Sequence, residues 1–153
     1  MGPTRLRTPL LALGLVLLAA TAATQPAVAA DALPADTWRE QVLQALNGVR
    51  RSQGLADLQL APELLPIAQG HSDDMAARRR LSHDGFDARM DRSGSLLCVE
   101  NVAAGTTRPA VLLGAWTRAP VHRQNLLEPR VRRAAVAVTG TASSAYVTLF
   151  ACE

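Results

Sequence analysis

Lysine is missing from this 153-residue chain: all sixteen basic residues are arginines, set against thirteen acidic ones for a net charge of +3. Aromatic residues are scarce too, with two Trp, one Tyr and two Phe making up 3%. That is too few for the stacking platforms that hold single-stranded nucleic acid. The two cysteines exclude a disulfide-dense miniprotein and a four-cysteine zinc module. The chain contains no HExxH, P-loop, GxSxG or CxxC motif. Apolar residues at 48% and charged residues at 19% are the balance of a folded chain rather than a disordered one. Chemistry must therefore rest on dispersed groups: three histidines, a few carboxylates and the two cysteines.

The N-terminal segment has the layout of a secretory signal peptide over residues 1–29. Arg5 and Arg7 form a basic start, Leu10 to Ala20 is apolar, and Ala27-Val28-Ala29 is a small-residue cleavage signal. No charge lies between Arg7 and Asp31, as a membrane anchor would require, but Gln25-Pro26 interrupts the run. No cysteine follows it to carry a lipid. The expected organisation is a leader at 1–29, a short tail at 30–36 and one domain at 37–153. Cleavage after Ala29 removes two arginines, so the pI near 9.6 overstates the basicity of the mature chain. A nucleic-acid partner needs a stronger positive field. The membrane is a transient partner, met through the leader, and the product is secreted or periplasmic.

In the remaining chain, Thr37 and Glu40 have capping-box spacing, and Trp38, Val42, Ala45, Leu46 and Val49 share a helical stripe ending at Arg50, Arg51 and Gly54. A short extended piece is expected at Leu58 to Leu60. A second helix is expected from Pro62 or Pro66 to Arg80, with Leu64, Ala68, His71 and Met75 on one face. Its closing triplet, Arg78-Arg79-Arg80, is either a solvated helix end or an attraction for an anion. Ser82 to Gly94 is polar and turn-rich. Leu96 to Val102 reads as a strand, Pro109 to Pro120 bounds a third helix, and His122 to Leu127 suits one more short turn. Ala134 to Val138 and Tyr146 to Phe150 form an antiparallel hairpin. Helices separated by a few antiparallel strands predict a layered fold with both element types, not a doubly wound one.

Cys98 and Cys152 both fall in strand regions, and in an oxidising compartment they have one intramolecular partner each. The alternative is a Cys98 nucleophile served by His83 or His122. His71 faces an apolar stripe, as a buried, hydrogen-bonded histidine does. Glu100 sits inside the apolar run Leu96-Leu97-Cys98-Val99-Glu100-Asn101-Val102, where a carboxylate requires a partner or a function. His83, His122 and Glu100 can hold a divalent metal such as zinc, or can form a hydrogen-bonded cluster that braces the loops.

The order of these segments resembles the CAP superfamily of cysteine-rich secretory, antigen 5 and pathogenesis-related proteins, and its bacterial SCP-like branch. The resemblance runs from Leu46-Asn47-Gly48-Val49-Arg50, through Gly54-Leu55, to Ala68-Gln69-Gly70-His71-Ser72-Asp73-Asp74-Met75-Ala76. It continues with Leu81-Ser82-His83-Asp84-Gly85 and Glu100-Asn101-Val102-Ala103, and it includes Trp116 followed by His122-Arg123-Gln124-Asn125-Leu126-Leu127. It implies an α+β fold, an α-β-α sandwich with a small antiparallel sheet between helical layers and a surface cleft. In the family two histidines and two acidic residues line that cleft, and the histidines can hold a divalent cation. His83 and His122 match the histidines and Glu100 the strand carboxylate. His71, Asn101 and Trp116 match as structural positions. The second acid is expected shortly after Trp116, where Thr117-Arg118-Ala119-Pro120-Val121 has none, and Val121 stands where a glycine usually precedes the histidine.

A three-member set favours a secreted, non-catalytic binding or interaction module for a cation, a lipid, a protein or another envelope ligand. The alternative is a metal-dependent hydrolase of peptide or envelope material, with His83 and His122 on the metal and Glu100 as general base. A purely structural envelope protein with an idle cleft is the third reading.

Overall fold

The computed structural model describes Met1, residues 35–141 and residues 143–153. Apart from Met1, the expected leader and most of the expected tail lie outside the described residues.

Helix α1 spans Ala35–Arg51 and buries Trp38, Val42 and Leu46 of the expected stripe, with Leu43 beside them; Ala45 and Val49 are half-buried. It starts before Thr37, so that residue lies inside the first turn rather than capping it. Asp36 occupies the positive end of the helix dipole and accepts from Arg39 at 2.7 Å. Strand β1 (Gln59–Leu60) follows, then a 3-10 turn at Pro62–Leu64 and helix α2 at Leu65–Arg78. Pro62 and Pro66 each fall in a first turn, where a missing N–H costs nothing. Helix α2 stops at Arg78 because Arg79 turns into the left-handed region (φ 50°).

The segment expected to be only turns contains helix α3, Phe86–Ser93, bounded by Gly85 (φ 72°) and Gly94 (φ 69°). Its buried side chain is Arg89, not an aliphatic residue, with Phe86 and Met90 packed beside it. Apolar periodicity is blind to a helix whose inward residue is a cation. Strand β2 (Cys98–Ala104) is followed by α4 (Pro109–Arg118) and α5 (Pro120–Leu126). Strands β3 (Arg133–Thr139) and β4 (Tyr146–Cys152) close the chain.

The sheet order is β1-β3-β4-β2. The β3–β4 and β4–β2 pairs are antiparallel, and the two-residue β1 joins β3 in parallel. Alternation along each strand divides the core. Ala134, Val136, Val147, Leu149 and Ala151 pack against α1, α4 and α5. Ala135, Ala137, Phe150, Cys98 and Cys152 pack on the side of α2 and α3. The architecture is an α-β-α sandwich.

Two polar devices fix the layers. Arg50 is fully buried and donates to the carbonyls of Ala56 (2.8 Å), Leu126 (2.8 Å), Glu128 (3.1 Å) and Val131 (3.4 Å). It ties the end of α5 and the loop after it to α1. A cation in a last turn suits the helix dipole; this one also supplies the donors that the loop carbonyls lack. Cys98 and Cys152 stand directly opposite in register, with Cα atoms 4.1 Å apart, and are joined as a disulfide.

Candidate functional site

Strand β2 lies at the edge of the sheet and carries Glu100 and Asn101 on opposite faces. Consecutive residues therefore reach into both helical layers. On the α2–α3 side, Glu100 is buried, with its side chain 1% exposed. Arg89 from α3 grips it with two bonds, Nε to Oε2 at 2.8 Å and an NH2 donor to Oε1 at 2.7 Å. A bidentate guanidinium is the partner that a buried carboxylate needs, because it satisfies both oxygens in one plane. Arg89 also donates to the carbonyl of Asp84 at 2.7 Å, which fixes the loop between α2 and α3.

That loop carries His83. Its Nδ1 lies 2.8 Å from Glu100 Oε1. The carboxylate accepts, so His83 donates from Nδ1. The His83 side chain is half-exposed. His71, from α2, is buried; its Nε2 donates to the carbonyl of Ser82 at 2.7 Å and lies 3.5 Å from Glu100 Oε1. Burial holds the His71 imidazole below the usual histidine range, and the Glu100 charge opposes this only in part.

On the other face, Asn101 Nδ2 donates to the backbone carbonyl of His122 at 3.0 Å. Asn125 Nδ2 donates to the Glu100 carbonyl (2.9 Å) and to Asn101 Oδ1 (3.0 Å), and Trp116 Nε1 donates to the Val102 carbonyl (3.1 Å). These bonds press α4 and α5 onto β2 and occupy two carbonyls of an edge strand that would otherwise invite a further strand. His122 is thereby placed beside β2 from one layer, and His83 from the other. Burial first, and then the neighbouring His83, hold His122 below the usual histidine range.

The structure thus joins His83 to Glu100 and sets His122 near His83. It adds two partners that the spacing of the sequence did not connect with Glu100: His71 and Arg89. The signal for Arg89 was its place between Phe86 and Met90, inward on a short helix that apolar counting overlooks.

A catalytic zinc centre needs three protein ligands and an open position. Both oxygens of Glu100 are taken by Arg89 and His83, and a cation there would face a guanidinium. Among the described residues no three His, Cys, Asp or Glu side chains are grouped to hold a metal. The donors present are the two imidazoles, and they do not fit such a centre. One hollow is lined by His71 and Arg89, behind the carboxylate.

The site is one histidine braced on an edge-strand carboxylate of an α-β-α sandwich, with a second histidine near it from the opposite layer. The chain belongs to the cysteine-rich secretory protein (CAP) family, whose profile matches residues 43–153. The Bacillus subtilis (strain 168) protein YkwD is 28% identical over 99 residues, covering 60% of this chain and 38% of YkwD. An extracellular protein containing an SCP domain from Bacillus anthracis str. Ames is 25% identical with a TM-score of 0.69, over 77% of this chain and 41% of that one. An outer surface protein from Borrelia burgdorferi shares the fold at 17% identity, TM-score 0.70, over 79% and 96% of the two chains. The chain thus spans about two-fifths of the length of the two Bacillus proteins.

Proposed function

We propose that this chain is a secreted, non-catalytic binding module of the CAP family, and that the β2 edge bearing His83 and His122 is its ligand-contacting face. The carrying observation is the saturation of Glu100. A general base needs a carboxylate oxygen free to take a proton from water. Here both oxygens accept hydrogen bonds, two from a buried arginine and one from His83. Glu100 acts as an orienting group: it holds the His83 ring through Nδ1. His122, held by burial below the usual histidine range, offers a second imidazole from the opposite layer. A divalent cation such as zinc at these two histidines would draw its remaining donors from the bound envelope, lipid or protein ligand.

Export is part of the same reading. The leader at residues 1–29, the disulfide, and relatives described as extracellular or as outer surface proteins all support it. The test has two arms. Zinc titration by calorimetry of the purified protein, with His83→Ala and His122→Ala, should lose its heat in both variants. Retention on envelope sacculi and on vesicles of extracted lipid should fall in the same variants on at least one of these materials. Turnover of peptide or envelope material that disappears in His83→Ala would replace the binding reading with a hydrolytic one.

A further inference from the structure

The arginine triplet at the end of α2 has no part in the His83 site, and one member of it reaches a second feature. Arg78, Arg89 and Arg92 converge on a hollow of about 200 Å³ between α2 and α3, whose lining also includes Gly70, His71 and Asp74. Two of these polar groups form a fixed floor: His71 is 4% exposed and Arg89 5%. Arg89 is immobilised by Glu100 and by the Asp84 and His83 carbonyls, which take four of its five N–H groups and leave one uncommitted. Arg78 and Arg92 stand at the rim. Arg78 pairs with Asp74 at 2.9 Å, with both side chains well exposed. An exposed pair of that kind holds weakly and exchanges readily for a better acceptor. Arg92 makes no ion pair or side-chain hydrogen bond among the described residues. Asp74 is the one carboxylate on the lining.

We infer that this hollow is an anion subsite for a phosphate group, carried by a small phosphate ester or by a phospholipid headgroup. Arg78 and Arg92 at the rim and the remaining N–H of Arg89 can donate from separate side-chain positions. A tetrahedral oxyanion has oxygens for all of them, whereas a carboxylate offers two oxygens in one plane. The volume admits a phosphate and a few further atoms. Gly70 supplies the opening: a Cβ built there meets no atom within 4 Å. The subsite lies behind the Glu100 pair, away from the His83 and His122 face, and it goes beyond the proposed function without depending on it.

The experiment uses the purified protein at low ionic strength. Inorganic phosphate and glycerol phosphate are titrated by calorimetry, and phosphatidylglycerol vesicles are compared with phosphatidylcholine vesicles by sedimentation. The variants are Arg92→Gln and Gly70→Glu, the second of which places a carboxylate in the opening. Arg118→Gln, an exposed arginine on α4, is the control. Melting curves confirm that each variant folds. Saturable one-to-one binding, weakened about tenfold by Arg92→Gln and abolished by Gly70→Glu, is expected. Binding of the soluble phosphates assigns the free ester. Binding confined to phosphatidylglycerol, with the same pattern among variants, assigns the headgroup. Absence of binding in both arms overturns the inference, and so does binding that Arg118→Gln weakens as much as Arg92→Gln.

Discussion

Replacing Arg89 by methionine removes the guanidinium and keeps most of the side-chain volume. It strands a carboxylate whose side chain is 1% exposed, against 6% for Arg89 itself. Three short hydrogen bonds disappear: two to Glu100 and one to the Asp84 carbonyl. Glu100 keeps one good hydrogen bond, from a half-exposed His83. Breaking a buried ion pair from one side costs about 3–5 kcal/mol, because the remaining charge is desolvated without compensation. For a domain of this size each kcal/mol moves the melting temperature by roughly 4 °C, so Arg89→Met should melt about 12–20 °C lower. Calorimetry and urea unfolding with the disulfide intact measure this. The second variant decides the cause. Arg89→Met combined with Glu100→Leu removes both charges and should recover most of the loss, ending within about 1 kcal/mol of the parent. A single variant costing under about 1 kcal/mol, or a double variant no better than the single, would refute the buried-pair account.

Arg50→Met should destabilise by about 3 kcal/mol or more, since several buried carbonyls lose their donor, and Arg50→Lys should restore less than half of that; equal stability of the lysine variant in urea melts would contradict the fork geometry. Replacing Cys98 and Cys152 together by alanine opens a cross-link between residues 54 apart and should cost about 4 kcal/mol in the chain-entropy treatment, read as a lower urea midpoint with a steeper slope, because the unfolded chain is released. His71 and His122 are held below the reference value of 6.5, so folding favours their neutral forms and the unfolded chain takes up protons first. Their contribution to stability is complete above about pH 6.5 and is lost as the pH falls toward their folded values. Urea midpoints between pH 8 and 5 should decline on the acid side, and His71→Gln should flatten that decline; an unchanged slope in the variant would remove His71 from the explanation.

Much of the fold was legible one segment at a time. The stripe from Trp38 to Leu46, the two prolines of the second helix and the closing hairpin each carry a local signal that survives in the structure. Helix α3 was not legible, because its inward residue is Arg89 and its neighbours are charged. Arg50 shows the same limit from the other direction: a cation at a helix end looks solvated until the loop after α5 folds over it. Glu100 was legible as an anomaly. A carboxylate in an apolar strand requires a partner, but spacing along the chain does not say which of sixteen arginines supplies it.

The sequence by itself determined most of the elements other than α3, the cysteine pairing available and the segments that carry the family resemblance, since propensity, periodicity and motif order are local properties of the chain. The tertiary structure decided which charges meet. Burial turns a carboxylate eleven positions from Arg89 into its ion-pair partner, and strand alternation sends Glu100 and Asn101 to opposite layers. Both effects depend on packing across distances that no local pattern encodes.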